Sequence, residues 1–372
     1  MEKNRKLLQT ILFIMTLGSS LYGLFLPIYY LNQGIPFQRI VFFMIAYCLG
    51  GFLSGIFSNL IIHRFGVKSF IVSRGLLEPM LIAVINYNKY IGLPVELQGL
   101  FLGMIVFAFW TSMDALTVKT TQNGSRGKQQ GNLYSGMWIA SIIAPFIGGF
   151  IISRFNYTVL FIIALLFVLF GGILSLFIRL DVTITKKINW FPKYNGRIGT
   201  HMFLVFLRGA TFGVVAFLFP LFIYEIFKNE LTVGTFGFVF GVAALLATVV
   251  SGHLIDRYKV KAMIAIFGLN AILWLLLGMR FTSYLLYSLL VLVFFDYSLL
   301  NVCMNTLFFD DVEKLDAVTL VTERMMSFSL GGALLFVLAL FLNYHALFII
   351  CGILCLGSVF VARRLDAAII NQ

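Results

Sequence analysis

The chain has 372 residues, of which 60% are hydrophobic and 11% charged, with a mean hydropathy of +0.99. So much apolar surface excludes a water-soluble globular domain, and the solvent for most of the chain is lipid. The net charge of +12 does not indicate a nucleic-acid partner, because the basic residues stand in short clusters between apolar runs, where they act as topology signals.

Twelve apolar runs follow in chain order, at 7–30, 40–62, 67–87, 97–119, 131–153, 157–178, 200–227, 232–255, 261–279, 283–308, 318–342 and 345–362. Each is about as long as the roughly 20 residues that a spanning helix needs. The first run follows Met-Glu-Lys-Asn-Arg-Lys. It is too long for a signal-peptide core and is read as helix 1. Cys48, Cys303, Cys351 and Cys355 all fall inside runs, as small core residues and not as a metal or disulfide set. Loops on one side carry most of the Lys and Arg, among them Arg64, Lys68, Arg126, Lys186, Lys187, Lys259 and Lys261. Loops on the other side carry only Arg39, Lys89, Arg154, Lys228 and Arg280. The bias predicts a multi-pass protein of a prokaryotic plasma (inner) membrane with both termini cytoplasmic. The polar, basic stretch 180–199 divides the chain into a six-helix bundle over 1–179 and a second over 200–372, and is itself a cytoplasmic linker.

The two bundles read as copies. Arg64 and Arg257, Lys68 and Lys261, Ser58 and Ser251, and Pro27 and Pro220 are each 193 residues apart. A constant offset predicts a parallel six-helix repeat with a site at the interface of the halves.

Gly252-x-Leu254-x-Asp256-Arg257-x-x-x-Lys261 resembles the loop-2/3 signature of the major facilitator superfamily, here in the matching loop of the second half. The first half holds a worn copy, Asn59-x-Ile61-x-His63-Arg64-x-Gly66-x-Lys68, which lacks the aspartate but keeps the late glycine. The second copy has Lys259 where that glycine belongs. Ala140-x-x-x-Ala144-Pro145-x-x-Gly148-Gly149 is similar to the helix-5 motif of superfamily exporters, with alanine at both early glycines. Small residues and proline also serve plain helix packing. The resemblance covers the whole chain and implies an all-α membrane fold of twelve helices in two pseudo-symmetric bundles. The basic residue that many proton-coupled drug exporters carry on helix 4 is missing, since 97–118 contains neither Arg nor Lys.

On this reading the motif is a gate. Asp256 docks on the free N–H groups at the start of helix 5, and Arg257 orients it. His63 and Arg64 face the acidic segment Asp310, Asp311, Glu313 and Asp316, or Glu323 on helix 11.

Ionisable groups inside the bilayer each need a reason. Asp114 lies on helix 4, Arg208 on helix 7 and Asp296 on helix 10. In the superfamily fold these helices, with helix 1, line the central cavity, so the three residues form a candidate substrate or ion pathway. At about 1.5 Å of rise per residue, Arg208 lies about 6 Å from Asp296 in depth. That is within its reach, and an Arg208–Asp296 pair is expected. The alternative is an unpaired Asp296 that carries a proton. Arg74 and Glu78, four apart on helix 3, make a structural pair with each other, or Arg74 bridges to Asp114. Trp110, Tyr297 and Tyr22 are placed in the pathway with them. An aromatic, charge-poor cavity suits an amphipathic or aromatic solute.

The expected function is secondary transport of a small organic solute by alternating access, with efflux favoured over uptake. A lipid or lipid-precursor flippase and a non-transporting sensor of the same fold are the alternatives. No enzyme constellation occurs, His63, His201, His253 and His345 are scattered, and no P-loop is present. The expected partners are the bilayer, a small molecule and a proton or sodium ion for coupling. No cofactor and no metal are expected, and the protein is taken as a monomer.

Overall fold

A chain this apolar must satisfy its backbone hydrogen bonds within each segment, which leaves helices as the solution. In the computed structural model the described residues are 2–120, 126–178, 196–279, 283–312 and 317–370. Among them every regular element is a helix, and twelve are long and apolar enough to span a membrane. In the first half these are α1 (Lys6–Asn32), α2 (Phe37–Ile62), α3 (Lys68–Asn86), α4 (Val95–Val118), α5 (Tyr134–Arg154) and α6 (Tyr157–Ser175). In the second half they are α7 (Gly196–Phe227), α8 (Glu230–Ser251), α9 (Arg257–Gly278), α10 (Leu285–Val312), α11 (Val318–Ala339) and α12 (Tyr344–Leu365). Below, the terminal face is the end of the bundle where α1 begins and α12 ends, and the distal face is the other end.

The repeat is visible in the backbone. Helix α1 is interrupted after Gly23 and resumes at Leu26, just before Pro27. Helix α7 carries a π turn over Val214–Leu218, just before Pro220. Proline lacks the N–H for the i−4 bond and its ring crowds the preceding turn. Each copy relieves that conflict one turn earlier, in one case by a break and in the other by a bulge.

The α2–α3 and α8–α9 turns show the same correspondence. The helix of α2 runs on to Phe65 and is capped by Gly66 with φ 76°, a left-handed conformation that glycine adopts freely. Lys259, its equivalent 193 residues on, adopts φ 45° and ψ −121° in the first turn of α9. A side chain in that region is strained. Lys259→Gly is therefore expected to raise stability by about 1 kcal/mol, less strain set against a more flexible unfolded chain. Thermal unfolding in detergent checks this, and a lower melting temperature would contradict it.

Small residues set the helix crossings. Gly75 of α3 lies against Gly172 of α6, and Gly209 of α7 against the backbone of Phe328 on α11. Between halves, α2 runs along α11 and α5 along α8. Pro145 and Gly149 of the helix-5 motif form the α5–α8 crossing. A Cβ on Gly149 would lie 2.7 Å from the Glu230 carbonyl oxygen, and one on Gly237 2.6 Å from the Pro145 ring. Gly148 faces the Leu21 carbonyl and the Phe25 ring of α1, and Ala144 is fully buried.

The halves touch at both faces. At the distal face Asn32 of α1 donates to Glu230 of α8 (3.0 Å) and accepts from the Tyr224 hydroxyl of α7 (2.8 Å). At the terminal face Val118 of α4 joins an apolar plug with Ile198 and Met202 of α7, Phe308, Phe309 and Val312 of α10, and Leu320 and Val321 of α11.

Candidate functional site

Tyr297, Asn301 and Asn305 are spaced by four along α10 and so share one helix face. Two buried arginines from neighbouring helices meet this stripe. Arg208 of α7 stacks its guanidinium 4.5 Å from the Tyr297 ring centroid and donates from Nη1 to Asn301 Oδ1 at 2.9 Å. Arg324 of α11 donates from Nη2 to Asn305 Oδ1. Through Nη1 it reaches Asp114 Oδ2 of α4 at 3.0 Å. The Phe308 and Phe309 rings flank the Arg324 guanidinium at 5.1 and 5.4 Å. The Nε of each arginine is buried and makes no hydrogen bond.

The expected Arg208–Asp296 pair does not form. Asp296 is buried, but it accepts from Asn270 Nδ2 of α9 at 2.5 Å, and Asn270 Oδ1 accepts in turn from Cys355 of α12 at 3.1 Å. Asp296 Oδ1 has no partner. The reason is angular. Asp296 and Tyr297 are consecutive, about 100° apart around α10, so Tyr297 faces Arg208 while Asp296 points at α9 and α12. The three expected pathway charges thus stand in three separate features: Arg208 at the α10 stripe, Asp114 bound to Arg324, and Asp296 bound to Asn270.

Asp114–Arg324 is a fully charged contact between the halves near the terminal face, and it packs beside the apolar plug. Arg324, Asn301 and Asn305 were not expected from the sequence. Arg324 follows Glu323, a partly buried residue assigned to the gate. The readable signal was the Asn pair at i, i+4 on the same helix face as Tyr297.

Arg74 and Glu78 pair with each other at 2.7 Å, and Arg74 does not reach Asp114. Glu78 also accepts from Ser19 Oγ at 2.6 Å and from the Tyr22 hydroxyl at 2.9 Å. Arg74 lies 4.1 Å from the Phe109 centroid. Tyr22 is therefore committed to this α1–α3 network, not to the Arg208 stripe. Trp110 shares a face of α4 with Asp114, is partly exposed, and meets Phe109 edge-on.

Of the motif residues, Arg64 and Arg257 are exposed, and each lies 5.2 Å from the ring of the next residue, Phe65 or Tyr258. Lys261 is exposed, and Lys68 Nζ donates to the Leu176 carbonyl at 2.8 Å. His63, Gly252 and Asp256 lie outside the residues whose side chains are described, as do Glu313 and Asp316. Asp311, an expected partner of His63 and Arg64, is held within its own half by Arg197 (2.7 Å) and His201 (2.9 Å).

A string of aromatic rings crosses the halves at the level of Arg208. Tyr297 faces Phe212 (6.5 Å), Phe212 faces Phe328 (5.0 Å), and Phe328 faces Phe107 of α4 (6.3 Å). Tyr47 of α2 meets both Phe107 (5.4 Å) and Phe217 of α7 (5.1 Å).

The family model described as Major Facilitator Superfamily matches residues 8–193 and 202–368. An uncharacterized Bacillus subtilis (strain 168) protein, YqgE, is 25% identical over 340 residues, covering 84% of this chain and 75% of its own. A bacterial homologue of the iron transporter ferroportin, in its outward-facing state, superposes with TM-score 0.74 at 14% identity, over 99% of this chain and 100% of that one. The nucleoside transporter NupG gives 0.71 at 11% identity, over 97% and 99%. The human organic anion transporter MFSD10 (TETRAN) gives 0.69 at 13%, over 96% and 99%. At these identities the likeness to solved structures is one of fold.

Proposed function

The chain belongs to the major facilitator superfamily, and from that premise we propose that it is a secondary transporter that exports a small amphipathic or aromatic organic solute by alternating access. The observation that carries this reading is the mid-depth assembly between the halves: a buried arginine without a carboxylate, beside a string of aromatic rings contributed by both bundles. A buried charge is expensive in a bilayer and marks a pathway. Contacts that close the two faces separately, Asn32–Glu230 and Asp114–Arg324, suit a molecule that opens one face at a time. The terminal face is assigned to the cytoplasm of a prokaryotic cell from the Lys/Arg bias.

A cysteine in place of Phe212 tests the access cycle. It should react with a membrane-impermeant reagent applied to right-side-out vesicles and also to inverted vesicles. Reaction from one side only would contradict alternating access. Cysteines at Gly92 and Ile226 should label from outside, and one at Trp190 only after permeabilisation.

Asp296 is assigned to coupling, as a carboxylate that no cation neutralises and that can carry a proton through the cycle. Asp296→Asn keeps an oxygen for the Asn270 amide, so its effect on stability should stay near the 1 kcal/mol of a single hydrogen bond. It should abolish proton-driven accumulation and leave downhill exchange. A large loss of stability, or accumulation that persists, would remove Asp296 from the coupling path.

A further inference from the structure

Three arginines are buried among the described residues, Arg74, Arg208 and Arg324. Glu78 neutralises the first at 2.7 Å and Asp114 the third at 3.0 Å. Among the described residues no carboxylate lies within ion-pair distance of Arg208, although only 4% of its surface is exposed. Its known contacts are one amide oxygen, Asn301, on Nη1 and the face of Tyr297. Neither supplies negative charge. The buried Nε makes no hydrogen bond, and the bond to Asn301 runs through Nη1, so the Nε–Nη2 edge of the guanidinium is not fully engaged. That edge is the one with which Arg39 of this same chain grips the two oxygens of Glu96, at 2.8 and 2.9 Å. The planar fork matches a carboxylate or a similar oxyanion.

The surroundings fix the sign and the body of what could sit there. Arg324 meets the same α10 face at Asn305, about one helical turn beyond Asn301 toward the terminal face. Both cations repel an ammonium group. The Asp296 carboxylate, adjacent in sequence to Tyr297, is turned away toward Asn270. Beyond Tyr297 the rings of Phe212, Phe328 and Phe107 continue into the other half. They offer flat apolar faces and no further acceptors.

We infer that the transported solute is an amphipathic organic anion, with its carboxylate or comparable oxyanion on the Nε–Nη2 edge of Arg208 and its aromatic or apolar body along the Phe212–Phe328–Phe107 rings. This rests on the transport reading above for the location of the site and adds the charge and shape of the ligand. Arg208 is then the residue that separates anions from their neutral isosteres, because a neutral amide leaves the guanidinium uncompensated.

The test uses the full-length protein in detergent and three carboxylates, 2-naphthoate, indole-3-carboxylate and octanoate, each beside its primary amide. At least one carboxylate should raise the melting temperature in a saturable way while its amide does not. Arg208→Gln should weaken that carboxylate by roughly 30-fold or more, and Arg208→Lys, which keeps the charge and loses the fork, by roughly 10-fold. Arg208→Gln should itself melt no lower than wild type, since no carboxylate is stranded; a residue that served only to tie α7 to α10 would melt lower. If the Gln variant does not fold, the Lys variant carries the comparison. Equal shifts by acids and amides, no shift by any of the acids, or carboxylate binding unchanged in the Arg208 variants would overturn the inference. Proteoliposome flux separates it from the transport reading. Flux of the amides in preference to the acids would refute the anion and keep transport, whereas acids that bind through Arg208 and never cross would refute transport and keep the site.

Discussion

Asp114→Asn should shift the protein strongly toward a conformation open at the terminal face. Asp114 and Arg324 come from different halves and meet beside the apolar plug of Val118, Phe308 and Leu320. Removing one partner of a buried pair costs about 3–5 kcal/mol, because the other charge is left without compensation. In the closed state Arg324 would retain only the Asn305 oxygen and the two phenylalanine faces. It has an escape that most buried charges lack. If the halves separate at this face, the guanidinium reaches water. The penalty therefore falls on the closed-terminal state alone, and 3–5 kcal/mol corresponds to roughly two to three and a half powers of ten in the open-to-closed ratio. Solvent accessibility of a cysteine at Met202 should rise accordingly, with expression near normal. Adding Arg324→Met, which removes the stranded charge, should restore closure. Unchanged accessibility in Asp114→Asn would show that the pair does not hold this face.

Glu78→Gln should behave differently despite the same chemistry. Arg74 and Glu78 pair at 2.7 Å within one half, and Ser19 and Tyr22 of α1 complete the network. A rigid-body movement of the halves does not hydrate it. The loss of about 3–5 kcal/mol should then appear as global instability: a lower melting temperature and poor yield, with no preference for either face. Arg74→Met added to Glu78→Gln should recover most of it, and the cysteine at Met202 should stay as protected as in wild type. A variant that melts like wild type would show that the Ser19 and Tyr22 hydroxyls already sustain the arginine.

The sequence and the structure agree where the physics is one-dimensional. Twelve spans follow from hydropathy, because lipid allows few other solutions to a long apolar run. The 193-residue offset located Pro27 and Pro220, and it placed Lys259 at a position whose backbone suits glycine. Pairing of charges between helices was less legible. Depth along an axis follows from residue count, but direction around it changes by about 100° per residue. Arg208 and Asp296 matched in depth and missed in azimuth, since Tyr297 takes the direction that Asp296 was assigned. Arg324 escaped notice because it lies six residues into α11, near the polar segment that precedes that helix, where a basic residue reads as a topology signal. Its partner Asp114 is more than 200 residues away, in the other half, at a contact that only the assembled bundle creates. Arg74–Glu78 was legible because i, i+4 neighbours need no tertiary information.

The central claim is that the two faces open alternately, with Asp114–Arg324 holding one of them. Spin-label distances test it most directly. One pair, at Phe65 and Tyr258, spans the halves at the terminal face, and another, at Gln33 and Ile226, spans them at the distal face; Phe65 and Tyr258 are equivalent positions of the repeat and all four are exposed. In Asp114→Asn the terminal distance should lengthen while the distal one stays at its short value, and addition of Arg324→Met should return the terminal distance to that of wild type. Distances that lengthen together, or that do not respond to Asp114→Asn, would contradict the account.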